Sequence, residues 1–168
     1  MRFLFPRKQI GAVFVHPLDP APKTVMLAAG FQSTRAIRAF PEGWSDETAR
    51  LCPCALAAPM KELRRLARAG IELRHAVIVL TRGAESCLAE EERELLWRAF
   101  GVPVFEQCLG AGNKLLAAEC EAHDGLHVMS GPHDQLLETA VCGCGSSIPR
   151  LMRMPQALDL ERMYALVS

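Results

Sequence analysis

The stretch Ala76-Val-Ile-Val-Leu80 is a continuous apolar run in which no polar residue alternates. Such a run is typical of a strand that is buried on both faces of a parallel sheet. Consecutive glutamates then open a helix predicted over about residues 88–100, where the helix dipole favours negative charge in the first turn. Val102-Pro-Val-Phe105 predicts a second short strand. Residues 76–105 therefore predict a βαβ unit at the centre of an α/β fold.

Upstream of this unit, the sequence predicts a small β element followed by two helices. Residues 10–16 and 23–30 have the valine-rich character of strands joined by a proline-rich turn, and residues 34–40 add a third strand. We expect these strands to pair antiparallel. A helix capped at Ser45 or Asp46 follows and is interrupted by Pro53, after which a second helix begins at Pro59.

The chain composition favours a folded protein whose main partner is not nucleic acid. Its 168 residues suit one domain, half of them are hydrophobic, and 19 basic residues balance 19 acidic ones. Phosphate binding normally needs a basic excess, so we do not expect nucleic acid as the main partner. No apolar run approaches the length of a membrane span, and Pro6 cuts short the apolar start of the chain. We therefore expect a cytoplasmic protein without a membrane partner.

Cysteine and histidine cluster late in the sequence, in Cys120-Glu-Ala-His123-Asp-Gly-Leu-His127 and in Cys142-Gly-Cys144. Zinc prefers sulfur and imidazole ligands, and a structural zinc site uses four of them. The predicted zinc ligands are Cys120, His127, Cys142 and Cys144. His123 is the alternate nitrogen ligand, because a Cys-x-x-His spacing also suits a metal. Since the protein side chains fill all four positions, we expect a structural site, and we assign no catalytic residue.

The other cysteines leave several interpretations open. Cys52-Pro-Cys54 is compatible with a second metal half-site, a redox pair, further ligands of the same zinc, or two buried cysteines at a helix start. We favour the last of these. Cys87 and Cys108 stand alone in the sequence and are expected to be structural.

These segments together predict the domain organisation. Residues 115–121 and 126–129 predict a β-hairpin around the first part of the cluster, and an apolar stripe predicts a C-terminal helix. The chain is thus expected to be one α/β domain, residues 1–168. It would have a small mixed sheet with a βαβ unit, an N-terminal antiparallel β element, a zinc-stapled hairpin and a C-terminal helix. The N-terminal antiparallel β element is expected to span residues 1–44, the α/β core 45–110, the zinc-binding hairpin region 111–155 and the C-terminal helix 156–168.

Several motifs follow one another in the order found in a known family. They are Leu80-Thr-Arg-Gly-Ala-Glu85, Phe100-Gly-Val-Pro-Val-Phe105, Ala118-Glu-Cys-Glu-Ala-His-Asp-Gly-Leu-His-Val128 and Cys142-Gly-Cys-Gly145. Over roughly residues 60–155 the chain resembles phenylacetate–CoA ligase-like enzymes, a branch of the adenylate-forming (AMP-binding) superfamily. The resemblance implies an α/β core with a Cys/His element and, in a complete family member, AMP-forming acyl–CoA ligase activity.

The chain departs from this family at the positions that carry adenylation. Where the family has an aromatic-Gly-x-Thr-Glu motif, this chain has Glu106-Gln-Cys-Leu-Gly110, and no Ser/Thr/Gly-rich phosphate loop ending in Lys occurs in it. The stretch of sequence between His127 and Cys142 is too short to contain the family's ribose-binding segment. We also expect no counterpart of the family's mobile C-terminal domain. We therefore expect a truncated core without independent catalysis, since adenylation needs these groups together.

The sequence thus predicts a zinc-binding accessory or subunit-like protein derived from a ligase core. The alternative is a ligase-type enzyme whose activity on an acyl or aryl carboxylate is completed by a partner chain. A truncated core would expose surfaces that its parent buries, so we expect a homo- or hetero-oligomer. A small acyl or aryl molecule is a further candidate ligand.

Overall fold

The computed structural model describes residues 11–82, 88–130 and 137–151, in which three α-helices, one short 3₁₀ helix (Ala111–Asn113) and nine strands form an α/β structure. The helices are α1 (Asp46–Arg50), α2 (Met60–Ala67) and α3 (Glu90–Phe100). The strands are β1 (Thr24–Met26), β2 (Ile37–Ala39), β3 (Ala55–Ala58), β4 (Ala76–Arg82), β5 (Val104–Leu109), β6 (Leu115–Glu119), β7 (Leu126–Val128), β8 (Leu137–Glu138) and β9 (Arg150–Leu151).

All nine strands belong to one mixed sheet, in the order β2-β1-β3-β4-β5-β6-β7-β9-β8. The pairs from β2 to β5 are parallel, and the pairs from β5 to β8 are antiparallel. The predicted α/β class with a mixed sheet is confirmed. The sheet is larger than expected, because its parallel and antiparallel halves continue into each other between β5 and β6.

The predicted βαβ unit is present as β4, α3 and β5. Residues 76–81 of β4 are buried, and Val77 lies opposite Val104 in the parallel register of β4 and β5. Helix α3 ends at Gly101, whose backbone has a φ of 67°. Such a left-handed conformation is the one that glycine adopts without a steric penalty. The apolar run and the acidic helix start therefore predicted this unit correctly.

The expected antiparallel pairing within residues 1–44 is wrong. Strand β1 pairs with β2 in parallel, with Thr24 opposite Ile37, and residues 11–16 contribute only the isolated parallel bridge of Ala12 to Phe31. The ten residues between β1 and β2 carry the chain back to the end of the sheet from which β1 started. Valine content favours a strand but does not set its direction, because the direction depends on the connection.

Strand β3 was not predicted. Its four residues, Ala55–Ala58, are completely buried between β1 and β4. Proline on either side of the segment and its high alanine content favoured an interrupted helix. Its small alanine side chains fit beneath the apolar layers that cover the two faces of the sheet, so the segment can form a central strand.

The core lies on both faces of the parallel half. One face packs Leu56, Val77 and Val79 against leucines of α2 and α3, including Leu63 and Leu96. On the other face, Phe14 from the N-terminal segment packs with a second group of apolar side chains: Met26, Ile37, Ala57, Ile78, Leu80, Phe105 and Leu109. Burying one leucine or phenylalanine side chain contributes about 1.5–3 kcal/mol. These two layers hold the parallel strands rigidly in place.

The antiparallel half extends the sheet beyond β5. Strands β6 and β7 form the predicted hairpin, with Ala117 opposite Val128. Strand β9 pairs with both β7 and β8, although each of β8 and β9 has only two residues. The C-terminal helix predicted over 156–168 lies outside the described residues. Among the described helices, none has the length and apolar character needed to cross a membrane.

Candidate metal centre

Four of the predicted ligands meet at the antiparallel end of the sheet. Cys120 directly follows β6, His127 lies within β7, and Cys142 and Cys144 lie in the turn between β8 and β9. Their donor atoms all lie within 4.8 Å of one another. Cys142 and His127 are buried, whereas Cys144 is exposed. The fold therefore brings together three thiols and one imidazole from three neighbouring segments of the chain, between residues 120 and 144.

Two distances in this cluster are close to those of a tetrahedral metal shell. The Cys120 Sγ and Cys142 Sγ atoms are 3.6 Å apart, and Cys144 Sγ is 3.5 Å from His127 Nε2. With Zn–S bonds of about 2.3 Å and Zn–N bonds of about 2.0–2.1 Å, a tetrahedral zinc ion would place two sulfurs about 3.8 Å apart and sulfur and nitrogen about 3.6 Å apart. A disulfide would instead bring two sulfurs to about 2.05 Å. The cluster is thus suited to binding a metal ion.

The orientation of the His127 ring fits the same arrangement. Its Nδ1 atom is 3.2 Å from the carbonyl oxygen of Ile148. A protonated Nδ1 donates a hydrogen bond to that oxygen and leaves the Nε2 lone pair directed towards Cys144. Metal-binding histidines are generally held by such a second hydrogen bond, which fixes the tautomer and the ring plane.

A tight turn brings the last two thiols together. The Gly145 N–H donates to the Cys142 carbonyl oxygen at 2.8 Å, and the Cys142 N–H donates to the Ser146 carbonyl oxygen at 2.9 Å. Gly145 has a φ of 84°, which a residue with a side chain would adopt only with strain. This turn makes the sulfurs of Cys142 and Cys144 converge on one side.

The thiols do not ionise alike in this cluster. Burial raises the pKa of Cys120 to about 12. The backbone N–H of Cys144, together with neighbouring thiols and His127, lowers the pKa of Cys142 to about 7. Cys142 therefore ionises at a lower pH than Cys120. A bound cation would favour the thiolate form of all three sulfurs, since coordinated thiols are deprotonated.

His123, the alternate ligand, lies outside this group. Its ring stacks on Phe105 with a centroid distance of 4.6 Å, and its Nδ1 atom is 3.6 Å from a carboxylate oxygen of Glu119. The backbone of His123 has a φ of 50°. The turn conformation thus directs this ring towards β5 and away from the three thiols.

The remaining cysteines are also separate from the cluster. Cys52 is exposed and Cys54 is partly buried, so they are not the two buried cysteines that we favoured. Cys108 is partly buried on β5. Cys87 lies outside the described residues. Among the residues that the structure describes, the four-residue cluster is the one group of His, Cys, Asp or Glu side chains arranged to hold a metal ion.

Sequence reasoning missed two groups of charged residues near this site. Arg150 is buried and donates hydrogen bonds to Asp124 and to the carbonyl oxygen of Ala140. One terminal nitrogen of Arg93 donates to both carboxylate oxygens of the buried Glu119, at 3.1 and 3.0 Å. The sequence around a charged residue does not show that its side chain is buried. Both sets of contacts depend on how the strands pair and on where α3 lies against the sheet.

Comparison with known proteins relates the fold to a class of enzymes. No protein-family model matches this chain, and no curated protein matches it. The fold is similar to that of part of an acyl-CoA ligase. One matching structure is 2-hydroxyisobutyryl-CoA ligase in an open conformation, in complex with 2-HIB-AMP and CoA.

The extent of this match limits what it shows. The TM-score is 0.57 at 14% sequence identity, and the match covers 79% of this chain but 44% of the ligase chain. This chain therefore corresponds to less than half of the length of the ligase. At this level of identity the comparison shows a shared fold.

Proposed function

We propose that this chain is a zinc-binding accessory or subunit-like protein, built on the core fold of a phenylacetate–CoA ligase-like enzyme and without catalytic activity of its own. The observation that carries this proposal is the Cys120, His127, Cys142 and Cys144 cluster, whose donor atoms lie within 4.8 Å of one another. Three thiolates and one imidazole form a donor set that binds zinc in preference to magnesium or calcium, which favour oxygen ligands.

A structural role for zinc follows from the number and position of the ligands. Four protein side chains complete a tetrahedral shell and leave no position for a reactive water. The ligands also join β6, β7 and the turn before β9, where the strands have only two to five residues. Such short strands contribute few hydrogen bonds, whereas a structural zinc ion contributes about 10–16 kcal/mol of apparent binding free energy.

The assignment to the phenylacetate–CoA ligase branch rests on the Glu-Cys-(x)4-Gly-Leu-His element at Glu119–His127 and on Cys142-Gly-Cys-Gly145. Both motifs contribute to the metal cluster. The fold similarity to an acyl-CoA ligase supports the broader class.

The non-catalytic role is supported by the residues that replace the adenylation motif. The buried Glu106 carboxylate accepts hydrogen bonds from the Thr81 hydroxyl at 3.1 Å and from the Leu88 N–H at 3.0 Å. The Gln107 side chain donates to the carbonyl oxygen of Val15 at 2.7 Å. Both side chains thus serve contacts within the fold, at the positions where the family binds adenine and magnesium.

The second candidate is a ligase-type enzyme that is completed by a partner chain. It is favoured by the match to less than half of a CoA ligase that is bound to 2-HIB-AMP and CoA. On this alternative the missing phosphate and ribose contacts come from the partner. The isolated chain would then retain a measurable affinity for ATP-Mg or for an acyl-adenylate analogue.

Zinc content and nucleotide binding test these proposals together. Protein purified without chelators is expected to contain close to one zinc per chain by elemental analysis, and Cys142→Ser is expected to lose most of it. Cys54→Ser is the matched control and should keep its zinc, because Cys54 lies outside the cluster. Less than half an equivalent of zinc in the wild type would contradict the zinc assignment. Calorimetric titration should show no ATP-Mg binding, and micromolar affinity would favour the ligase alternative.

A further inference from the structure

Arg150 lies between the two segments that carry the proposed zinc ligands. It is the direct cross-strand partner of His127 in the β7–β9 pair and of Glu138 in the β8–β9 pair. Residues directly opposite each other in antiparallel strands place their side chains on the same face. The Arg150 side chain therefore lies beside His127, and it is only 4% exposed.

The guanidinium group of Arg150 contacts both ligand-bearing segments. One terminal nitrogen donates to the Asp124 carbonyl oxygen at 2.8 Å and also pairs with the Asp124 carboxylate. The other terminal nitrogen donates to the Ala140 carbonyl oxygen at 3.4 Å. Asp124 lies in the turn between Cys120 and His127, and Ala140 lies two residues before Cys142. One side chain thus bridges the hairpin turn to the turn that holds Cys142 and Cys144.

The charge of Arg150 suits this position. A zinc ion with three thiolates and one neutral imidazole has a net charge of about −1, since two positive charges meet three negative ones. The Asp124 side chain is 48% exposed, so solvent screens much of its charge. The Arg150 Nε atom is buried and has no hydrogen-bond partner within the described residues. A buried cation with an unpaired donor is costly unless further negative charge lies nearby. Besides Asp124, the groups whose charge acts on the Arg150 guanidinium are Cys142 and Glu138, so the Cys142 thiolate supplies part of that charge.

We propose that Arg150 is a positioning residue of the metal centre: it ties the hairpin turn at Asp124 to the Cys142–Cys144 turn and balances the negative charge of the zinc-bound thiolates. This inference rests on the proposed zinc site. It assigns to Arg150 an effect on metal affinity and on thiolate electronics, in addition to its contribution to folding. Outer residues that orient metal ligands typically change metal affinity by about 10–100-fold when they are replaced.

Arg150→Met tests the inference, because methionine keeps much of the apolar stem and removes both the charge and the donors. We expect R150M to bind zinc about 10–100-fold more weakly than the wild type in a competition assay with a chromogenic chelator. In cobalt-substituted protein, the thiolate-to-cobalt charge-transfer band should move to lower energy, since a nearby positive charge no longer stabilises the sulfur electrons. Arg98→Met is the matched control and should change neither value, because Arg98 lies on α3 and pairs with Glu94.

Arg150→Lys separates the effect of the positive charge from the effect of the hydrogen bonds that bridge the two turns. Lysine keeps the positive charge but not the planar fork of donors that reaches both segments. R150K should restore the cobalt band position and bind zinc with an affinity between those of R150M and the wild type. If R150M does not fold, R150K decides the bridging role, and full wild-type zinc affinity in R150K would contradict it.

The outcomes distinguish this inference from the proposed function. A wild-type chain that binds no zinc contradicts the metal site itself. A wild-type chain that binds zinc while R150M matches R98M, in both affinity and cobalt spectrum, contradicts the role of Arg150 alone.

Discussion

At the residue scale, Glu106 is a carboxylate that the sheet buries almost completely. It is buried in β5 beside Glu119, whose own carboxylate accepts the Glu106 N–H at 2.9 Å and pairs with Arg93. Burial raises the pKa of Glu106, and the negative charge of Glu119 adds to this effect. Hydrogen bonds from Leu88 and Thr81 act in the opposite direction. Glu106 therefore fixes the start of α3 to the sheet while its ionisation opposes folding.

Glu106→Gln should change how stability depends on pH. A carboxyl with a raised pKa in the folded state binds its proton more tightly there than in the unfolded chain. The stability that protonated Glu106 contributes is therefore lost as the pH rises from the ordinary value of 4.5 through the raised pKa. We expect E106Q to gain stability relative to the wild type over this interval, as measured by urea denaturation at several pH values.

Two further variants control this experiment. Glu94→Gln lies on the exposed face of α3. The difference in unfolding free energy between this variant and the wild type should not change comparably with pH. Glu106→Leu should destabilise the protein by about 1–3 kcal/mol, because the Leu88 N–H loses its acceptor. If the stability of E106Q relative to the wild type decreases as the pH rises, the raised pKa of Glu106 is contradicted.

At the element scale, the two halves of the sheet differ in what holds them. Strands β3, β4 and β5 are covered on both faces by apolar layers. Strands β7, β8 and β9 have two or three residues each, and the Cys/His cluster lies among them. Local stability should follow apolar burial in the first half and metal binding in the second.

Metal removal should therefore unfold the antiparallel end first. With a strong zinc chelator, amide hydrogen exchange is expected to accelerate in the segment 115–151, while the amides of β4 keep their protection. Mild acid should act in the same direction, because zinc-binding thiolates must be deprotonated. Exchange that accelerates equally in both halves would contradict a local staple, and a chelator-treated Cys142→Ser variant provides the zinc-free baseline.

At the scale of the whole molecule, helices α2 and α3 border a groove of about 750 Å³. Its apolar lining includes Ala67, Leu95 and Ala99, and its charged lining consists of arginines from the region of both helices and glutamates from α3. Leu95 is 44% exposed. A surface that carries both signs of charge around an apolar strip can be complementary to itself, as two-fold symmetric contacts require.

Association of the chain should therefore depend on this groove. Sedimentation or light scattering at tens of micromolar protein is expected to give a mass of at least two chains, each of 18.5 kDa. Leu95→Arg should shift the protein towards the single chain, because it places an unpaired charge in an apolar contact. Val13→Arg, on an exposed residue of the opposite face, serves as the control. A monomeric wild type would contradict self-association.

The sequence by itself determined the central βαβ unit and the residue types of the metal cluster. An uninterrupted apolar run such as residues 76–80 is compatible with few environments, so it defined a buried strand without knowledge of its neighbours. The residue types and spacings of the Cys142–Cys144 pair and of the Cys120–His127 segment likewise indicated metal ligands. The side chains of Cys120, His127, Cys142 and Cys144 are the ones that meet in the fold.

Only the tertiary structure decided how the segments pair. The parallel direction of β1 and β2, and the burial of Ala55–Ala58 as a strand, depend on neighbours that are distant in the sequence. The same holds for His123, whose ring the turn directs onto Phe105, and for Arg150, which gains its partners through the pairing of β9 with β7. Local sequence patterns indicate which side chains are buried or can bind a metal. Strand direction and cross-strand contacts depend instead on the free energy of the whole sheet, to which residues distant in the sequence contribute.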